Sequence, residues 1–102
     1  EEGGVNLKTK PYRNRKWLAA VGQLDQCVLC GAWGIQVAHR NEGRGMGQKN
    51  DDSLTAALCP SCHHEIDNGN HLSREERRER MDRAIVLTLQ QLTRRGLVEV
   101  AA

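Results

Sequence analysis

Seven side chains in this sequence have the types and spacings that can do chemistry: Cys27, Cys30, Cys59, Cys62, His39, His63 and Asp67. All four cysteines fall in two Cys-x-x-Cys pairs, Cys27-Val-Leu-Cys30 and Cys59-Pro-Ser-Cys62, with 28 residues between them and none left over. A two-residue spacer lets both thiolates turn toward one ion, commonly with backbone N–H groups directed at the sulfurs. Two such turns supply the four soft ligands of a closed tetrahedral zinc site. Gly31, directly after the first pair, suits the tight turn this requires. Disulfides are the competing explanation and belong to short secreted chains, whereas redox-active pairs call for a βαβ setting that the sequence does not contain. The start, Glu-Glu-Gly-Gly, has no basic segment running into an apolar stretch, so a secretory leader is not expected. Paired short spacings without secretory context favour zinc. Such a closed site leaves no position for water or substrate, so its work is to staple the fold, and any catalysis must lie elsewhere.

Histidines near the cysteine pairs are the candidates. His63 and Asp67 are four residues apart, so on a helix they share a face. An imidazole nitrogen and a carboxylate oxygen could there hold one divalent ion with positions left for water and phosphate. A hydrogen-bonded pair on the helix surface is the ordinary alternative. His39, whose unperturbed type titrates near neutral pH, can serve as a general base. Phosphodiester hydrolysis needs those two parts, a base to deprotonate water and a cation to stabilise charge on the phosphate and the leaving oxygen.

The elements that must position these groups can be read from periodicity and punctuation. Trp17, Ala20 and Val21 recur at i, i+3 and i+4, predicting a short helix over Arg13 to Val21 that stops near Gly22. Gly34 to His39 alternates as a short strand ending on His39, and Leu54 to Leu58 forms an extended piece into the second cysteine pair. From Cys62 onward a helix can begin, closed by Asn68-Gly69-Asn70. Ser73 and Glu76 form a capping box for a long helix running to about Arg95, with Gly96 as its C-cap. Its apolar stripe is Met81, Ile85, Leu89 and Leu92, flanked by Ala84 and Thr88. Leu97 to Val100 is a short terminal strand or extended tail. Arg40 to Asp52, with glycines at 43, 45 and 47, is a loop in which Arg44 and Lys49 are available to a polyanion.

At 102 residues and 38% hydrophobic content, with no Phe, two Trp and one Tyr, the chain makes one domain with a modest core. Zinc binding coupled to folding contributes on the order of 10 kcal/mol in small metallo-domains, which offsets that shortage. Apolar runs such as Ala56 to Cys59 are far shorter than the roughly 18 to 20 residues that span a bilayer, so no membrane partner is expected. The formal net charge is +2 and falls to near zero once four thiolates and one Zn²⁺ are included. Its distribution says more. Lys8, Lys10, Arg13, Arg15 and Lys16 make a basic arm, a footprint for phosphate backbones or equally a solvated tail. The arginines of the long helix, Arg74, Arg77, Arg78, Arg80 and Arg83, are interleaved with Glu75, Glu76, Glu79 and Asp82. This reads as a solvated packing helix first and a nucleic-acid face second.

Taken together, Cys-x-x-Cys-Gly, Ala38-His39, a Gly-rich loop and Leu58 to Asp67 resemble the zinc-containing branch of the HNH (ββα-metal) endonucleases. More narrowly, Ala38-His39, Gly45 to Lys49 with Asp52, Cys59 to Asp67 and the tail from Met81 to Val100 resemble the small prophage-encoded nuclease family of YbcO. The resemblance covers roughly residues 24 to 100. It implies an α+β, zinc-stapled ββα-metal (HNH-like) domain with an added short N-terminal helix and a long C-terminal helix. Residues 1–10 would be a flexible arm and residues 11–102 the single domain. His39 matches the general base, His63 the metal-binding histidine, and Asp67 the position that often holds the last histidine. The implied chemistry is DNA hydrolysis assisted by Mg²⁺, Mn²⁺ or a similar ion, with Arg40, Arg44 and Lys49 on the phosphate backbone. The implied setting is the cytoplasm of a bacterial host, phage or prophage encoded. Two positions depart from the pattern: Ala38 stands where an acidic or His ligand is frequent, and the middle Asn has no one-to-one counterpart among Asn50, Asp51, Asp52 and Ser53. The first cysteine spacer is also shorter than in YbcO itself, although it agrees with the wider zinc-containing group. These departures keep two alternatives open, a zinc-stapled DNA-binding module without catalysis and a protein-interaction adaptor. Oligomeric state is not legible.

Overall fold

The computed structural model describes residues 10–41 and 50–101. Asn14 opens helix α1 (Arg15–Gly22) by accepting the Trp17 N–H on its side-chain oxygen at 3.0 Å. Its own backbone is extended at φ −153°, which excludes Arg13 from the helix and moves the start two residues past the expected one. Ala20 and Val21 are buried and Trp17 packs beside them, as the i, i+3, i+4 spacing predicts.

Strands β1 (Gln36–His39) and β2 (Thr55–Leu58) pair antiparallel, with Gln36 opposite Leu58 and His39 opposite Thr55. β1 starts later than the alternation implies because Gly34 adopts φ +87°, a left-handed conformation that cannot join a strand. β2 is buried at all four positions and separates two core clusters. Ala56 and Leu58 pack with Cys27, Ala38, Ile66, Met81 and Ala84, while Ala57 packs with Ala20, Val21, Leu24 and Leu92. The edge of β2 that faces away from β1 is also closed. The Ala57 N–H donates to the Thr88 hydroxyl at 3.1 Å, and the Ala57 carbonyl accepts the Val28 N–H at 3.0 Å.

Helix α2 (Pro60–Asn68) begins two residues before the expected Cys62, because Cys59 is its N-cap and Pro60 its first residue. Helix α3 (Arg74–Arg94) carries the capping box at both ends of the bond pair. Glu76 N–H donates to Ser73 Oγ at 3.1 Å and Ser73 N–H to Glu76 Oε1 at 2.8 Å. Its far end closes at Gly96, with φ +69° and the Leu97 N–H reaching back to the Leu92 carbonyl at 2.9 Å. The buried stripe is Met81, Ala84, Thr88 and Leu92, with Ile85 at its margin. Leu89, expected in that stripe, is 45% exposed. It lies about 100° round the helix from Thr88, and the core takes the smaller residues where β2 comes close. Leu97 and Val98 pack on the second cluster without forming a strand, and among the described residues no strand follows α3.

The architecture is therefore α+β, with a β1-β2-α2 succession framed by α1 and α3. Of the expected 1–10 arm, residues 1–9 lie outside the described residues. From Tyr12 the chain is docked: Tyr12 N–H donates to Asp51 Oδ1 at 2.9 Å, and the Asp52 N–H to the Tyr12 carbonyl at 2.8 Å. No described helix is long and apolar enough to cross a membrane.

Candidate metal centre and histidine cleft

The two cysteine pairs come together. Cys27 and Cys30 lie on a turn held by Cys27 N–H to the Ala32 carbonyl at 2.8 Å and Gly31 N–H to the Cys27 carbonyl at 2.9 Å, with Gly31 at φ +80°. Cys59 and Cys62 start α2, where the Cys62 N–H points at Cys59 Sγ at 3.4 Å. The four Sγ atoms all lie within 4.8 Å of one another, and Cys30 to Cys59 is 3.6 Å. A tetrahedron with metal–sulfur bonds of about 2.3 Å has edges of about 3.8 Å, so these distances suit a shared ion. They exclude an S–S bond of about 2.05 Å, and all four cysteines are free. The electrostatics agree. At Cys27 burial opposes ionisation, but backbone hydrogen bonds at Cys59, Cys30 and Leu29 outweigh it and bring the thiol down to about 7. At Cys62 burial and the neighbouring sulfurs push the thiol well above its ordinary value. One thiolate is favoured and the next is opposed by it, a conflict that a bound dication removes. This donor set can hold one metal ion in a site with no ligand position to spare.

His39 closes β1 and is held from behind. Its Nε2 lies 2.9 Å from Asp52 Oδ1, with the two side chains only 12% and 6% exposed. A carboxylate at that distance accepts a hydrogen bond from the Nε2–H of a neutral imidazole, which leaves the lone pair on Nδ1. Asp52 also accepts the Asn14 N–H at 2.7 Å and Arg13 Nη1 at 3.3 Å. Burial alone would raise its pKa, but His39, the Asn14 N–H and the Arg13 charge together hold it below the usual carboxylate value. Arg13, read in the sequence as part of a basic arm, is half exposed, pairs with the buried Asp52 carboxylate and also donates to the Asn50 carbonyl.

His63 and Asp67 do share a face of α2, with Nε2 to Oδ2 at 3.2 Å. His63 Nδ1 meets Gln36 Oε1 of β1 at 2.8 Å, and Asp67 Oδ1 receives Asn41 Nδ2 at 3.2 Å. With Nδ1 turned to an amide oxygen, the Nε2 lone pair of a neutral His63 faces a carboxylate oxygen. That pair is unfavourable until a proton or cation sits between them. Adjacent ligands of an octahedral ion with bonds of about 2.1 Å stand about 3.0 Å apart, close to the separation observed.

An open cleft of about 190 Å³ brings His39 and Asp67 together, whereas His63 lies outside it. His39, Arg40 and Asn41 line one side, Ile66 and Asp67 of α2 another, and Arg74, Arg77, Arg78 and Met81 of α3 the third. Asp67 also lines a shallower depression with Gln36, His63 and His64. Asp67 therefore stands between the His39 cleft and His63.

Of the expected phosphate-binding residues, Arg40 lines the cleft while its Nε pairs with Asp82 Oδ1 at 2.7 Å. Arg44 and Lys49 lie outside the described residues. Ala38, the departure next to the base, is 1% exposed among Cys27, Ile66 and Met81, so this position serves packing and offers nothing to the cleft. Two features were not drawn from the sequence. The Asp52 partnership had no signal beyond a polar loop. The gathering of Arg74, Arg77 and Arg78 was hidden by the acids interleaved with them. Compared with family models, curated proteins and solved structures, the chain matches none.

Proposed function

We propose that this chain is a metal-dependent endonuclease of the HNH (ββα-metal) type that hydrolyses DNA phosphodiester bonds, stapled by zinc at Cys27, Cys30, Cys59 and Cys62. One observation carries this reading. His39, braced by buried Asp52, and Asp67, paired with His63, line the same cleft at the end of a β1-β2-α2 succession. In the proposed reaction His39 is neutral, donates its Nε2–H to the Asp52 carboxylate, and takes a proton from water at Nδ1. His63 and Asp67 would hold a divalent ion such as Mg²⁺ or Mn²⁺, which would supply charge stabilisation on the phosphate and the leaving 3′ oxygen. The phage or prophage origin and the cytoplasmic setting belong to the same proposal through the resemblance above.

The burial of Ala38 favours a second reading, a zinc-stapled DNA-binding module without catalysis, because it limits the protein ligands of the second ion to α2. Nicking of supercoiled plasmid separates the two. The zinc-loaded wild type nicks with Mg²⁺, Mn²⁺, Co²⁺ or Ni²⁺, and His39→Ala lowers the rate by about 10²- to 10⁴-fold, the usual contribution of a general base. Equal rates in both proteins, or no nicking by the wild type with any of these ions, refutes the catalytic assignment.

A further inference from the structure

The α3 wall of the cleft has a property that the endonuclease reading does not require. The face of α3 that packs as core through Met81, Ala84, Thr88 and Leu92 begins two turns earlier with Arg74, Arg77 and Arg78. These three stand at i, i+3 and i+4, so they share one helix face, and that face lines the cleft. The acids of the same turns are engaged elsewhere or point away. Glu76 closes the capping box, Asp82 pairs with Arg40, and Glu65 of α2 pairs with Arg80. Among the described residues Asp67 is the one carboxylate lining the cleft, and Arg77 Nη1 lies 3.4 Å from its backbone carbonyl. Three guanidinium groups are gathered where the core stripe meets an open cleft. Their planar forks suit phosphate oxygens in particular.

We infer that Arg74, Arg77 and Arg78 bind the phosphates of a nucleic-acid strand flanking the cleavage position, so that the strand runs along the first two turns of α3. The choice of nucleic acid rests on the endonuclease reading, whereas the arginine cluster stands without it. Helix α3 then has two halves with one continuous face, the first reading phosphate and the second building the core.

The test is fluorescence anisotropy of a labelled 20-base-pair DNA duplex with the full zinc-loaded chain, titrated from 50 to 200 mM salt. The triple variant R74Q/R77Q/R78Q is expected to bind about 10- to 100-fold more weakly, with a log K against log [salt] slope shallower by about 2 to 3. The double variant R74Q/R78Q changes only exposed positions and is the measurement to use if the triple variant loses its native circular dichroism; its slope is shallower by about 2. The triple R83Q/R94Q/R95Q removes the same charge from exposed positions outside the cleft and is expected to bind within threefold of wild type. Wild-type affinity in the cleft variants overturns the inference and leaves the endonuclease reading standing. Equal weakening by the outer triple overturns it in favour of diffuse attraction, and displacement of DNA by polyglutamate at equal charge overturns the nucleic-acid assignment. Loss of binding in the cleft variants together with a wild type that binds but never nicks supports the inference while catalysis falls.

Discussion

Replacing Asp52 by Ala removes the acceptor shared by three donors on two segments, Arg13-Asn14 and the end of β1. The Asn14 N–H at 2.7 Å and His39 Nε2 at 2.9 Å are both part-buried, and each stranded buried donor costs about 1–3 kcal/mol. Arg13 is half exposed and can turn to water, so its loss adds little. Asp52→Ala is therefore expected to cost about 2–5 kcal/mol. At 3 kcal/mol this lowers the melting temperature of a domain this size by roughly 12–24 °C. Asp52→Asn retains a carbonyl acceptor and is expected to cost about half as much. The pH dependence follows from the direction of the Asp52 shift. A carboxylate whose folded pKa lies below its unfolded value contributes stability that is complete above the unfolded pKa and is lost as pH falls through the folded one. The gap between wild type and Asp52→Ala should therefore not shrink from pH 8 to pH 5, and should close only below about pH 4. Thermal and urea unfolding of the zinc-loaded proteins, followed by circular dichroism, measures it. A cost under about 0.5 kcal/mol at pH 7, or a gap that closes already by pH 5.5, refutes this role of Asp52.

Two further outcomes follow from the same structure. Co²⁺ substitution is expected to give one four-thiolate site per chain with its strong absorption; Cys62→Ser should weaken those bands, and a chelator should unfold the wild type. Spectra lacking thiolate bands would refute the shared site. Thr88→Val keeps the side-chain shape but strands the buried Ala57 N–H, at a cost of about 1–3 kcal/mol. Thr88→Ser keeps the hydroxyl and should cost about 1 kcal/mol for the methyl. Urea midpoints check the order, and a valine variant as stable as the serine one would show that the hydroxyl is not needed.

What could be read from the residues alone was set by local rules. The Cys-x-x-Cys spacing implied convergence, the Ser73 and Glu76 pair implied the start of α3, and His63 with Asp67 implied a shared helix face. Each depends on neighbours within a few residues or on a ligand set that is complete by count. Asp52 escaped because its partners come from residues 13, 14 and 39, and nothing in Asn50-Asp51-Asp52 shows which polar residue holds the buried carboxylate. Leu89 was misplaced because a stripe of large side chains is chosen by size on paper, whereas the close approach of β2 selects Ala84 and Thr88. The arginines of α3 were averaged against their acidic neighbours in sequence, although the helix turns the two sets in different directions. The HNH assignment itself rests on the resemblance and on the cleft, and the plasmid assay decides it.

The closed edge of β2 ties the cysteine turn to the protection of a strand. One of its two seals is the Val28 N–H, which lies between Cys27 and Cys30, so the turn that gathers sulfur also caps the Ala57 carbonyl. The strand that this turn and Thr88 seal has no charged residue of its own, Thr55-Ala56-Ala57-Leu58. An uncharged, uncovered strand edge is a template for a second chain. Loosening of the cysteine turn would therefore weaken the guard on that edge as well as the sulfur site itself.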